Sequence, residues 1–140
     1  MPTPTAHVVV GIDGSADSIT ALRWAEGYAA TTAARLEVLC VWRWPIDYGY
    51  PVVNTAYSPE ADAKAIAEQA VADLGLPTAQ VSISIVEGEA GHELVRRSEH
   101  ADLLVVGTHG HRVVSSLLLG SVSNYCVHHA TIPVVVVRSK

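Results

Sequence analysis

Short runs of valine, isoleucine and leucine alternate along this chain with segments whose small apolar residues recur every three or four positions. The runs read as strands buried on both faces, and the periodic segments as amphipathic helices. His7–Ile12 (HVVVGI) is the first strand and ends on Asp13-Gly14-Ser15. Ser18, Ala21, Leu22, Ala25 and Ala29 then share one helix face, with Ser15 or Asp17 as its cap. Leu36–Trp42 is a second strand, Val81–Val86 a third, Leu103–Val106 a fourth and Pro133–Arg138 a fifth. Between them lie three more helices. One starts at Glu60, buries Ala63, Ile66, Ala67, Ala70 and Leu74, and is stopped by Gly75 and Pro77. Another turns Gly91, Leu94, Val95 and Ser98 inward and Glu93, Arg96, Arg97 and Glu99 outward. The last covers Ser121–Ala130. Strand–helix alternation of this kind builds βαβ units. The expected fold class is therefore α/β: a single open, doubly wound parallel sheet of five strands with helices on both faces. The expected organisation is one domain over residues 1–140.

Composition narrows the function. With 49% hydrophobic and 16% charged residues the chain orders as a globule, and a net charge of −5 offers no broad footprint for nucleic acid or an anionic membrane. The start, MPTPTAHVVV, has neither the charged nor the apolar region of a signal peptide, and no run is long enough to span a bilayer. Cys40 and Cys126 form no metal-ligand spacing and sit in apolar stretches, so they are expected as buried, reduced thiols. The expectation is a cytoplasmic protein with no nucleic acid and no membrane among its partners.

A small anion is different, because backbone N–H groups bind phosphate without basic side chains. In an open α/β sheet, ligands sit outside the carboxyl ends of the strands, where strand order reverses. The first strand ends Gly11-Ile12-Asp13-Gly14-Ser15; the fourth ends Gly107-Thr108-His109-Gly110, and Gly120-Ser121 opens the next helix. Gly107 lets a ligand approach the backbone, Gly110 can take positive φ to form a nest, and Gly120-Ser121 directs a helix N-terminus at the same spot. The hydroxyls of Ser121 and Ser123 add donors. The alternative is that these glycines only turn the chain and cap a helix. The first turn, VGIDGS, lacks the dinucleotide fingerprint, and no lysine follows the glycines as a P-loop requires.

The spacing Gly107-x2-Gly110-x9-Gly120-Ser121 resembles the nucleotide motif of the universal stress protein family. The likeness runs from VVVGIDGS (Val8–Ser15) and ALRWA (Ala21–Ala25) through ADLLVVGTHG (Ala101–Gly110) to LLLGSVS (Leu117–Ser123) and HATIPVVVV (His129–Val137). The resemblance implies an adenine nucleotide alpha hydrolase-like sheet of order 3-2-1-4-5 with an adenine nucleotide, usually ATP, between strands one and four. By position, it places Ile12 and Asp13 at the adenine and ribose and Val41 at the adenine edge. Gly107 and His109 would border the ribose and α-phosphate, while Gly110, Gly120, Ser121, Val122 and Ser123 hold the phosphates. It further implies a homodimer paired through the last strand, Pro133–Arg138.

This chain departs from the pattern after Gly110, where His111-Arg112-Val113-Val114-Ser115-Ser116 leaves Arg112 as the only firmly cationic side chain of the loop. Arg112 is thus the candidate for outer phosphates, and AMP or cyclic AMP becomes an alternative occupant. No general base, nucleophile or metal constellation is visible, and any magnesium would arrive on the nucleotide phosphates. The expected role is a stress-response sensor or regulator; the rival is a slow ATPase or phosphotransferase using Asp13, His109 and Arg112. Arg43–Ser58, rich in prolines and aromatics, is a long connection that either covers the nucleotide, meets another subunit or packs on its own domain.

Overall fold

The computed structural model describes residues 6–52, 56–75, 80–110 and 119–139. In chain order the elements are β1 (His7–Ile12), α1 (Ala16–Thr32), β2 (Arg35–Trp42), β3 (Ile46–Asp47), β4 (Tyr50–Pro51) and α2 (Pro59–Asp73). They continue with β5 (Val81–Glu87), α3 (Ala90–Ser98), β6 (Leu103–Gly107), α4 (Ser121–His129) and β7 (Val134–Val137). Five strands form one parallel sheet of order β5-β2-β1-β6-β7. Counting only these five, the order is the expected 3-2-1-4-5.

Each helix start follows from its sequence. Ser15, with extended backbone, caps α1 by accepting the Ser18 N–H on Oγ at 3.3 Å. Ser58 caps α2 by accepting the Ala61 N–H at 3.1 Å, ahead of Pro59, whose ring is preset for the first helical turn. Period-two alternation splits each central strand between two cores. Val8, Val10, Ile12, Leu36, Val38, Cys40, Leu103 and Val105 pack beneath the alanine faces of α1 and α2. Val9, Leu39, Val86, Leu104 and Val106 pack against Leu94, Ala101 and Cys126 on the side of α3 and α4. Burial pushes the Cys40 thiol up to about 11, helped by the Asp13 charge, and raises Cys126 to about 11 as well. Both are free, buried thiols, as expected.

Two expectations change. Arg43–Ser58 holds a small antiparallel hairpin, β3–β4, whose turn residues Tyr48 and Gly49 have φ of 50° and 82°. Positive φ at both central positions makes a type I′ turn, whose twist matches that of paired strands. Glu93, expected on the outer face of α3, is buried beside Gly88. A Cβ on Gly88 would lie 2.7 Å from the Glu93 Cγ, so the missing side chain makes the room. The Arg96 guanidinium donates to Glu93 Oε2 from Nε at 3.1 Å and from a terminal nitrogen at 2.5 Å. That pairing holds the Glu93 carboxyl below its ordinary range.

Candidate functional site

The site begins where two neighbouring strands part. β1 pairs with β6 only through Val8–Leu103, Val9–Leu104 and Val10–Val105. Beyond that, β1 runs on beside β2 to Ile12–Cys40, and β6 runs on beside β7 to Gly107–Val137. Between the diverging ends lies a cavity of about 380 Å³, within the range of small-ligand sites. It is lined by Ile12, Asp13, Val41, Gly107, His109, Gly110, Gly120, Ser121, Val122 and Ser123, every site residue expected from the sequence except Arg112. Arg112, with its neighbour His111, lies outside the described residues. Leu39, Leu94 and Val106 add an apolar wall that spacing alone did not reveal. Gly11 lets that wall close, since a Cβ there would sit 2.7 Å from Leu94.

Hydrogen bonds fix the floor. Asp13 Oδ1 accepts the Ser15 N–H at 2.9 Å in an Asx turn, and the Asp13 N–H donates to Ser18 Oγ at 3.2 Å. Asp17 is the residue the sequence reading missed in this region. Its Oδ2 accepts the His109 N–H at 3.1 Å and lies 3.4 Å from His109 Nδ1, while its Oδ1 accepts the Ser139 hydroxyl. One carboxylate therefore ties α1 to the β6–α4 loop and to the chain beyond β7. These partners are 92 and 122 residues away, beyond any local pattern.

Thr108 is the second fastener. Its N–H and hydroxyl donate to the Val137 carbonyl at 3.1 and 2.9 Å, and its own carbonyl accepts the Gly120 N–H and the Ser123 hydroxyl, both at 2.8 Å. The two halves of the glycine motif are zipped together by this one peptide.

The zipper revises several assigned roles. The Gly120 and His109 N–H groups and the Ser123 hydroxyl are spent inside the protein. Ser123 is buried and also reaches the Gly120 carbonyl at 3.1 Å, so its hydroxyl is a brace and not a phosphate donor. Gly110 does not use positive φ. A Cβ there would stand 2.6 Å from Asp13 Oδ2, so glycine serves to let the carboxylate approach. Gly107, which lines the cavity, also lets α1 approach, because a Cβ there would lie 2.7 Å from the Asp17 carbonyl oxygen. What faces the cavity is the first turn of α4. Gly120 provides no side-chain cap, and the first intrahelical bond is donated by Asn124 to Gly120 at 2.9 Å. The N–H groups of Ser121, Val122 and Ser123 thus have no intrahelical acceptor, and the positive end of the helix dipole points with them.

A family model described as the universal stress protein family matches residues 5–138. This chain belongs to that family. A universal stress protein of Mycobacterium tuberculosis (strain H37Rv) is 32% identical over 148 residues, covering 99% of this chain and 48% of the relative. The chain thus spans about half the length of the curated relatives it matches. Among solved structures, a universal stress protein in complex with cAMP superposes with a TM-score of 0.70 at 26% identity, covering 96% of this chain and 98% of the other. The family member from Archaeoglobus fulgidus in complex with dAMP shares the fold at a TM-score of 0.58 and 18% identity, over 95% and 97% of the two chains. His129, at the start of the HATIPVVVV stretch, is exposed and stacks on Tyr125 with ring centroids 4.1 Å apart.

Proposed function

We propose that this protein binds an adenine nucleotide in the β1/β6 crevice and responds to it as a stress-linked regulator. The observation that carries the reading is the uncapped start of α4, opening into a cavity with apolar walls at Leu39, Leu94 and Val106 and a carboxylate at Asp13. The walls suit a purine, Asp13 suits ribose hydroxyls, and the helix start suits one phosphate. The similar structure holding cAMP supports the same class of ligand. Because the Gly120 and His109 N–H groups are already spent, the α4 turn serves a single phosphate best. ATP, the occupant expected from the resemblance, needs Arg112 or magnesium for its outer phosphates.

Among the described cavity residues, Asp13 is the only carboxylate and His109 the only imidazole. That set favours a sensor over a fast enzyme. The accompanying reading is a cytoplasmic homodimer joined along β7. Calorimetric titration of AMP, cAMP, ADP and ATP, with and without magnesium, tests the assignment. Arg112→Ala weakens ATP by about 1.5–3 kcal/mol, the worth of a hydrogen bond to a charged group, and leaves AMP unchanged. Equal losses for AMP and ATP would remove Arg112 from the outer phosphates, and absence of binding by all four would remove the nucleotide reading. Accumulation of ADP over hours separates a slow ATPase from a sensor.

A further inference from the structure

Trp24, from the ALRWA stretch, takes no part in lining the crevice. Its ring stacks on Tyr28 one turn later, with centroids 5.4 Å apart and planes 13° from parallel, and the two residues are 39% and 40% exposed. Helix geometry tells which way the pair points. Trp24 and Tyr28 fall within about 20° of Asp17 round the α1 axis, while Ile19 falls on the opposite flank. Ile19 packs into the core shared with α2. Asp17 turns the other way, with its Cβ 3.0 Å from the Cβ position of Gly107 at the end of β6 and its carboxylate bonded to His109 and to Ser139, just past β7. The aromatic pair therefore flanks the β7 edge, where no further strand pairs among the described residues. Beside the rings, Thr20 and Thr31 donate their hydroxyls back to the Ala16 and Gly27 carbonyls, both at 3.0 Å. On the opposite face of the sheet, Tyr125 of α4 turns toward α3, its Cβ 3.0 Å from the Cβ position of Gly91. Val127 lies about 160° round the α4 axis from Tyr125, on the β7 side, and is 47% exposed.

Resting on the reading of a homodimer joined along β7, we infer that the Trp24–Tyr28 face of α1 is a second contact surface of that dimer, and that its occupant is the same face of a second copy of this chain. The shortness of β7 calls for such a surface. The strand has four residues. Stable interfaces bury roughly 1,200–2,000 Å² in total, far more than a strand about 13 Å long offers at its edge. Aromatic rings are the side chains that supply area at interface cores, about 150–250 Å² each when fully buried. Pairing β7 with its copy about a two-fold axis normal to the sheet gives one continuous sheet. Both α1 helices then lie on the same face, one on either side of the joined strands. Val135 and Val137 belong to that face, beneath the two aromatic stacks. Val134 and Val136 belong to the other, where Val127 of α4 takes the corresponding place.

Sedimentation equilibrium measures the dimer dissociation constant of wild type, Trp24→Gln and Tyr28→Lys. Each variant raises it at least tenfold, while the circular dichroism spectrum and the affinity for AMP stay at the wild-type level. A Trp42→Phe/Trp44→Phe background leaves Trp24 as the sole indole. Its emission shifts to the red as dilution takes the protein through the dissociation constant. If a substitution at Trp24 or Tyr28 fails to fold, that shift decides, because the background keeps both rings. Dissociation constants equal to wild type in both variants, or a Trp24 emission that ignores dilution, overturn the α1 surface while pairing through β7 survives. A wild type that is monomeric at micromolar concentration overturns the homodimer reading on which it rests.

Discussion

Gly107, the last residue of β6, and Gly110, in the loop that follows, are three residues apart, yet they are glycines for different reasons. Beside Gly107 the obstacle is backbone, the Asp17 carbonyl oxygen at 2.7 Å. Beside Gly110 it is the end of a side chain, Asp13 Oδ2 at 2.6 Å. Backbone at the start of a buried helix cannot step aside, whereas a carboxylate can rotate. Gly107→Ala therefore costs stability, about 1–3 kcal/mol as for other overpacked positions. Gly110→Ala keeps the fold but turns Asp13 away from the ligand, weakening AMP by about 1.5–3 kcal/mol if the carboxylate bond to ribose is lost. Urea unfolding and calorimetric titration on both variants check the contrast. A Gly110→Ala protein that binds AMP normally would take Asp13 out of the site. The glycine spacing was legible in the sequence, but which glycine serves packing and which serves the carboxylate depends on Asp17 and Asp13 meeting this loop across the fold.

At the scale of elements, strands were easier to read than their surroundings. The β1 run HVVVGI has the same limits in the structure as in the sequence, because a β-branched run between turn formers has one reading. Two-residue strands carry no periodicity, so β3–β4 was visible only through its turn, and Tyr48 with φ of 50° is an unusual residue for a type I′ position. In α3, charge suggested that Glu93 faces water, but Gly88 makes room for it and Arg96 satisfies it. The consequence is a pH dependence of known sign. Ionised Glu93 is stabilised in the fold, its native pKa lying below the ordinary value of 4.5. Its contribution is fully present above that value and is lost as pH falls through the lowered native one. Glu93→Gln is accordingly less stable than wild type at pH 7, and the gap closes on acidification below 4.5. Chemical denaturation at pH 7, 5 and 3 measures it, and a gap that stays constant would mean that the carboxylate charge contributes nothing there.

Across the whole molecule, the wiring of the site reaches the sheet edge. Val137, the last residue of β7, anchors Thr108, which in turn anchors Gly120 and Ser123 at the start of α4. Among the described residues, the ladder also shows which β7 groups have no partner strand. The carbonyls of Pro133 and Val137 accept from Leu104 and Thr108 of the neighbouring chain segment, at 3.0 and 3.1 Å. A residue's N–H and C=O point to the same side of a strand, and successive residues alternate, so Val134 and Val136 direct theirs outward from the sheet. An apolar edge strand with open N–H and C=O groups is a template for a second strand. In the proposed homodimer, β7 of one protomer pairs with β7 of its partner through these two residues. Val136→Pro removes one outward N–H without touching the ladder to β6, and proline is tolerated at an edge. The variant keeps its circular dichroism spectrum and elutes as a monomer where wild type elutes as a dimer. Val135 points its backbone inward, so Val135→Pro breaks the β6 ladder and lowers stability instead. Light scattering coupled to gel filtration distinguishes the outcomes. A Val136→Pro protein that remains a dimer, or a wild type that is monomeric at micromolar concentration, would move the interface away from this strand.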